Sequence, residues 1–443
     1  MNTRARLLLA LLGLLALCSA ATAAPPNIVM IISDDQSWAD YGFMRHPQVK
    51  TPRLDQFAAQ SVLFPRGYVP SSLCCPSLAA MLTGQYPHVN QITSNDPPLP
   101  PGAKGKAMAK APEFHDGRAI MSRHMQEAAT LPRLLAPLGY VSLQTGKWWQ
   151  GHYSTGGFTH GMSAGDESKG GRHGDAGLTI GRKTMQPIYD FVAEAKTAHK
   201  PFFLWYAPML PHDPHDAPDR FYAKYKDVAP NEQTARYWAN IEWFDETCGQ
   251  LLDHLQQQGV ADNTIIVYVS DNGWIPGAQV NRFDPRSKQS QYDGGLRSPI
   301  MVRWPAQAKP RRSEALATSL DFLPTLLAAA GAPVPAGLPG VNLLDEAATN
   351  ARHRLFGECF THNAVDLARP AASLRWRWTI DATGDPAGPV WKLIVPAPQN
   401  EPNAVVELFD LRADPTEQKN LAATEPARVA TMRAQLDGWW KGE

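Results

Sequence analysis

The sequence predicts an α/β fold, with a large, mostly parallel sheet sandwiched by helices and a small C-terminal antiparallel sheet plus helix. Three observations carry that expectation. Continuous apolar runs of strand length recur through the first three quarters of the chain, and helix-like patterns fall between them. Beyond a Pro/Gly-rich crossing at residues 332–344 the apolar runs become short and alternating.

The first strand is Asn27-Ile-Val-Met-Ile-Ile-Ser33, an unbroken apolar run that stops at Asp34-Asp35, as expected of a strand buried on both faces. Similar runs occupy residues 139–145, 201–206, 264–270 and 299–304. Helical patterns lie at residues 54–61, 130–138, 184–199, 233–258 and 319–330. Residues 97–118, rich in Pro, Gly and Lys, and residues 151–181, rich in Gly, Ser and His, read as long loops, which in compact domains are usually functional or mobile. Alternating segments at residues 374–380, 391–395 and 405–411 predict the small sheet, and a helix from about residue 426 to 440 closes the chain. The expected division is a signal peptide at 1–24, a large α/β domain at 25–345 and a small α+β region at 346–443.

Composition narrows the function. With 443 residues, 44% hydrophobic and 19% charged, the chain is long enough for a large core and is ordinary for a globular protein. The formal charge is +0 with no long basic run, which argues against nucleic acid as a partner. Arg4 and Arg6 precede an apolar run at 7–17 and small residues at 19–24, with Ala21-x-Ala23 as the cleavage site of a secretory signal. That run is too short for a membrane span and none of sufficient length follows, so the chain is expected to be exported, periplasmic or secreted. Removal of the signal takes away two cations, leaving 40 basic against 42 acidic residues, or −2. The four cysteines left, Cys74, Cys75, Cys248 and Cys359, are too few and scattered for a disulfide scaffold, and Cys248 and Cys359 read as small buried hydrophobes.

Candidate chemistry gathers at strand ends, the edge where α/β folds place their sites. Asp34 and Asp35 end the first strand, and Asp271-Asn272-Gly273 ends the strand at 264–270. Either pair alone reads as readily as a cap or a turn. Two pairs in the same placement form a set of hard oxygen donors suited to calcium or magnesium. Between them lies Ser71-Ser-Leu-Cys-Cys-Pro-Ser-Leu-Ala-Ala-Met-Leu-Thr-Gly84. Pro76 suits a first helical turn, so Cys74 is expected just before a helix running to Thr83, where free N–H groups favour an anion.

This segment resembles the signature of type I sulfatases, Cys-x-Pro-Ser-Arg followed by a helix ending in Thr-Gly. The resemblance continues through Asp34-Asp35-Gln36, Thr145-Gly-Lys147-Trp148, Pro211-His212-x-Pro214, Ser270-Asp-Asn-Gly273, and Lys288 five residues before Asp293-Gly-Gly295-x-Arg297-x-Pro299. Glu407-Leu-Phe-Asp-Leu-Arg-x-Asp414-Pro-x-Glu417-x-x-Asn420 is similar to the family's C-terminal signature. The resemblance implies an alkaline-phosphatase-like fold and hydrolysis of a sulfate monoester on a sulfated small molecule or glycan. It also implies a formylglycine made from Cys74 by a formylglycine-generating maturation enzyme. Asp34, Asp35, Cys74, Asp271 and Asn272 would hold Ca2+, Lys147 and Lys288 would offset sulfuryl charge, and His212, with Lys288 as second candidate, would protonate the leaving oxygen.

Two positions depart from the family pattern. Leu78 stands in place of its arginine, and Trp149 in place of the histidine after Lys-Trp, for which His152 and His88 could substitute. Trp148 and Trp149 read either as a wall for a sugar ring or as buried packing. A phosphate or phosphonate ester hydrolase on the same fold and a non-catalytic sulfoglycan-binding homologue are the alternative readings.

Overall fold

The computed structural model describes residues 24–99, 111–165, 171–277, 282–385 and 387–443. Residues 1–23 of the expected signal peptide at 1–24 lie outside the described residues, as do parts of both expected loops. Strands in chain order are β1 (Asn27–Ser33), β2 (Val62–Phe64), β3 (Gly67–Tyr68), β4 (Val141–Gly146), β5 (His160–Gly161), β6 (Phe202–Ala207) and β7 (Thr264–Ser270). They continue as β8 (Ile300–Arg303), β9 (Arg311–Arg312), β10 (Ala317–Thr318), β11 (Arg354–Phe360), β12 (Leu374–Asp381), β13 (Trp391–Pro396) and β14 (Glu407–Asp410).

The central sheet has the order β5-β4-β6-β1-β7-β8-β2-β9, with β5, β4, β6, β1 and β7 mutually parallel. Strand β1 explains the continuous apolar runs. Ile28, Met30 and Ile32 enter the hydrophobic layer on one face while Val29 and Ile31 enter the layer on the other. A strand covered on both sides has no polar face to alternate with. Each such side chain contributes about 1.5–3 kcal/mol relative to exposure. The helices Pro52–Ala59, Gln186–Thr197 and Glu232–Gln257 supply one layer, and Cys74–Thr83, Pro112–Glu127 and Phe322–Ala330 supply the other. Among the described residues no helix is long and apolar enough to cross a membrane.

The structure corrects the sequence reading in four places. Strand β8 was grouped with the parallel runs, yet it pairs antiparallel with β7 and with β2. Residues 112–118, expected in a loop, open the helix Pro112–Glu127, which buries Phe114, Met121 and Met125. Cys74 is the first residue of its helix rather than the residue before it, and the cap is Leu73. The C-terminal sheet has a fourth strand, β11, in the antiparallel order β11-β12-β13-β14.

That second sheet is tied to the first by a buried ion group. Lys392 on β13 is fully buried, with Nζ 2.8 Å from Asp293 Oδ1 and 2.8 Å from Glu417 Oε1. Burial opposes its charge, but the two carboxylates outweigh that cost and raise its pKa. Glu417 Oε2 accepts the Asp293 N–H at 2.6 Å, and the Tyr68 hydroxyl donates to the other Asp293 oxygen at 2.9 Å. Asp293 opens the single turn Asp293–Leu296, whose backbone is packed directly on the end of β7. A Cβ on Gly273 would lie 2.0 Å from the Gly294 carbonyl oxygen. Lys392→Met should strand two buried carboxylates and cost about 3–5 kcal/mol. Denaturant unfolding checks this, and a loss below about 1 kcal/mol would mean the group holds nothing together.

Candidate active site

Strands β1 and β7 run in register from Asn27↔Thr264 to Ser33↔Ser270, so the residues that follow each strand emerge side by side. Asp34, Asp35, Asp271 and Asn272 are all buried there. Asp35 has φ of 62°, a left-handed conformation that aspartate tolerates better than most residues. Its N–H donates to Asp271 Oδ1 at 3.0 Å, and the Asn272 side-chain amide donates to Asp35 Oδ1 at 2.7 Å. The Cys74 thiol donates to Asn272 Oδ1 at 3.3 Å. One ligand atom each from Asp34, Asp35, Cys74 and Asp271 lie within 4.8 Å of one another.

This donor set fits a divalent cation. Asp34 Oδ2 and Asp271 Oδ2 are buried without a hydrogen-bond partner, a costly state that a cation would relieve. Three carboxylates and an amide are hard oxygen donors, the chemistry of calcium or magnesium. Burial, reinforced by Asp34, pushes Asp271 up to about 7. For Asp35 burial acts in the same sense, but Lys288, His212 and Lys147 outweigh it and hold the carboxyl well below its usual range.

The cations come from segments that lie beside these strand ends. Lys147 follows β4, and its Nζ is 2.7 Å from Asp34 Oδ1 and 3.9 Å from Asp271 Oδ2. Gly146 makes this possible, because at φ of 76° a Cβ there would lie 1.9 Å from the Ala207 carbonyl oxygen at the end of β6. Lys288 Nζ is 2.7 Å from both oxygens of Asp35. Gln289, next to it, donates its N–H to the Ser72 carbonyl at 3.0 Å, which holds the lysine segment against the one leading to Cys74. His212 Nε2 lies 3.4 Å from Asp35 Oδ2, and its Nδ1 lies 3.0 Å from Asp213 Oδ1. Burial works against charge on Lys147, Lys288 and His212, yet the carboxylates win and raise all three. Burial raises the Cys74 thiol, and both lysines act against that rise.

All eight predicted site residues therefore meet around one cavity or directly beneath it. Asp35, Cys74, Lys147, His212 and Lys288 line a cavity of about 210 Å³. Leu78 is packed in the hydrophobic layer under the helix, and the guanidinium on the cavity wall comes from Arg172. Arg172 pairs with buried Asp96 and stands 5.0 Å from the Trp149 ring centroid. The two tryptophans divide the roles expected of them. Trp148 packs edge-on against Phe158 and Trp205 in the core, while Trp149 faces the cavity.

Neither histidine proposed from sequence to stand in at 149 is on the wall. His88 pairs with Glu358 at 2.7 Å and stacks on Trp440, and His152 is exposed and accepts the Ser154 N–H. The wall instead carries His173, His215 and His362, with Asn95, Trp274 and Phe283, which sequence reading missed. His173 sits inside the Gly/Ser/His-rich stretch already singled out, and His215 follows Pro211-His212-x-Pro214 directly, so both had a weak signal. His362 had none, because it reaches the cavity from the loop after β11.

Comparison with known proteins agrees with this arrangement. Residues 26–332 match the Sulfatase family, and residues 282–438 match the family described as N-sulphoglucosamine sulphohydrolase, C-terminal. N-acetylgalactosamine-6-sulfatase of Mus musculus is 29% identical over 423 residues, covering 85% of this chain and 77% of that protein. The crystal structure of Ps i-CgsB superposes with a TM-score of 0.71 at 23% identity, over 95% of this chain and 94% of that one. The phosphonate monoester hydrolase of Agrobacterium radiobacter shares the fold at a TM-score of 0.66 and 17% identity, over 93% and 95% of the two chains. The chain belongs to the type I sulfatase family of the alkaline-phosphatase-like superfamily. It is a sulfuric ester hydrolase.

His215 gives a pH test of this wall. Burial lowers it to about 4, and its ring lies edge-on to Trp274 at 5.1 Å. A histidine kept neutral in the fold binds fewer protons than in the unfolded chain, so its contribution is complete above pH 6.5 and is lost as pH falls toward 4. Unfolding midpoints should drop between pH 7.5 and 5, and His215→Phe should make that slope shallower.

Proposed function

We propose that the protein is an exported sulfatase that removes sulfate from a carbohydrate, using a formylglycine derived from Cys74 and a calcium ion. The observation that carries this reading is the meeting of Cys74 with Asp34, Asp35 and Asp271 inside one 4.8 Å cluster, flanked by Lys147 and Lys288. A sugar substrate is supported by the relative named N-acetylgalactosamine-6-sulfatase. Export is supported by the signal-like residues 1–24, ahead of a catalytic region at 25–345 and a smaller one at 346–443.

A sulfate monoester is an anion, so a nucleophile must approach negative charge and the departing alkoxide must be neutralised. Asp34, Asp35, Asp271 and Asn272 would hold the calcium ion, which supplies a fixed positive charge for the sulfuryl oxygens. A hydrated aldehyde at position 74 supplies a hydroxyl nucleophile and a second hydroxyl through which the site can be regenerated, which neither serine nor cysteine offers. Lys147 and Lys288 add charge aimed at the same oxygens. His212, whose pKa the neighbouring carboxylates raise against burial, would donate a proton to the leaving oxygen. A maturation enzyme would perform the conversion of Cys74, reading a segment with Leu78 in place of the family's arginine.

A phosphonate or phosphate ester hydrolase is the second reading, favoured by the shared fold of the phosphonate monoester hydrolase. Assay of the purified protein against sugar sulfates and phosphonate esters separates the two, with sulfate turnover expected to dominate. Peptide mass spectrometry over residues 67–104 should find position 74 lighter than cysteine by about 18 Da, and a thiol there in active protein would defeat the formylglycine reading. His212→Ala should lower kcat by about 10²–10⁴-fold with little change in KM, and an unchanged kcat would remove His212 from proton transfer.

A further inference from the structure

A second cleft, of about 660 Å³, shares no lining residue with the cavity over Cys74. It lies where three segments meet: Arg66 and Tyr68 at β3, Arg297 ahead of β8, and Asn350, His353 and Arg412 from the C-terminal region. Backbone pairing fixes the first two segments against each other. Tyr68 forms an antiparallel bridge with Arg297, and the Ser298 N–H donates to the Gly67 carbonyl at 2.9 Å. Arg297 Nε donates to the Pro65 carbonyl at 3.1 Å, which draws its guanidinium to the residue preceding Arg66.

Among the described residues no carboxylate neutralises Arg66. Its Nη1 donates to the Glu314 backbone carbonyl at 3.3 Å, while Nη2 is buried without a hydrogen-bond partner. The Glu314 carboxylate is exposed and turns to Arg312 instead, at 2.9 Å. Asp385, the other acid on the wall, is exposed and accepts the Ala387 N–H at 2.8 Å. Tyr68 does not serve as an anion, because burial, with Asp293 beside it, raises its hydroxyl well above the ordinary value. Burial lowers the Arg66 guanidinium, and the charges of Arg297 and Arg412 act in the same sense. Arg297 is itself 3.9 Å from Asp293 Oδ2, and that carboxylate is already engaged by Lys392 and Tyr68.

A buried guanidinium nitrogen left without an acceptor is costly, and like charges gathered around it add to the cost. Arg352, on the same wall, shows the satisfied case, with both Nη atoms on Asp321 and Nε on the Leu316 carbonyl. Guanidinium forks recognise oxyanions through paired N–H···O bonds. A carboxylate offers two oxygens in one plane, whereas sulfate or phosphate offers four in different directions. Here the forks come from three separate segments, which suits the tetrahedral anion. Its two negative charges also match Arg66 and Arg297 together.

We propose that this cleft is a binding site for a tetrahedral oxyanion of the sulfate type, with Arg66 and Arg297 as its principal ligands and Arg412 at the rim. The anion joins the segment ahead of β8 to the C-terminal region, either as the free ion or as a sulfate group carried on a longer glycan. The inference stands apart from the sulfatase reading, since it uses no residue of the Cys74 cavity.

Calorimetry tests it on the matured enzyme, titrated with sodium sulfate while chloride holds the ionic strength. A bound sulfate is expected whose Kd rises at least about tenfold in Arg66→Gln. The inhibition constant of sulfate against hydrolysis of an aryl sulfate reads the Cys74 cavity separately, and it should change less than about twofold. Arg412→Gln, at an exposed position, keeps the test standing should Arg66→Gln fold poorly, and it should raise the Kd about threefold. A sulfated oligosaccharide is the comparison ligand. Tighter binding than inorganic sulfate, with the same dependence on Arg66, assigns the anion to a glycan, and the reverse order assigns it to the free ion. The proposal is overturned if the only sulfate bound is the one that inhibits, or if neither substitution changes the Kd.

Discussion

Three carboxylates buried together at the ends of two paired strands are the constraint around which the rest of the molecule is arranged. At a separation of 4 Å and an effective dielectric of about 20, each like-charged pair repels by about 4 kcal/mol. The fold cannot relieve this by moving the strands, because Ser33 and Ser270 are locked in register by seven residue pairs of a central sheet. Positive charge has to be brought in instead, and it comes from three separate segments, ending in Lys147, His212 and Lys288. Burial works against charge on each of those groups and the carboxylates favour it, so the anionic and cationic halves of the site stabilise one another.

The C-terminal region takes part in this arrangement and is more than an appendage. Through Lys392 and Glu417 it holds Asp293, and through Asp293 the glycine turn that lies on Gly273, next to Asn272. Through His362 it also closes the cavity rim. A buried ion group far from the reacting centre is therefore connected to it by backbone contacts too close for any intervening side chain. A shift of the small sheet would be felt at the strand end that carries Asp271 and Asn272 and at the lysine segment together.

The fold was legible in the sequence where burial is complete and simple. Strands β1 and β7 were found to the residue, because a strand covered on both faces is an unbroken apolar run bounded by polar residues. Strand direction was not legible in β8, since an apolar run says nothing of which way it points. Strand β11 was missed because Gly357 and Glu358 interrupt its pattern, and Glu358 is buried only by virtue of its pairing with His88. The helix Pro112–Glu127 was hidden because its first turns follow a loop-like composition and carry Gly117 and Arg118. The site divides in the same way. The expected site residues stand in motifs that the sequence shows, whereas Arg172, His215 and His362 meet only through tertiary folding.

The reversed strand β8 has a topological consequence for chemistry. A parallel strand can offer the working edge only the residues that come after it, because it enters from the opposite side. Since β8 runs against β7, residues 271–277 leave from that same edge and residues 282–299 return to it. One uninterrupted stretch can thus furnish Asp271 and Asn272 at its start, the aromatic side chains of Trp274 and Phe283 along its course, and the Lys288 ammonium before it descends. Flipping a single strand turns what would have been a transit route into a wall of the reaction chamber.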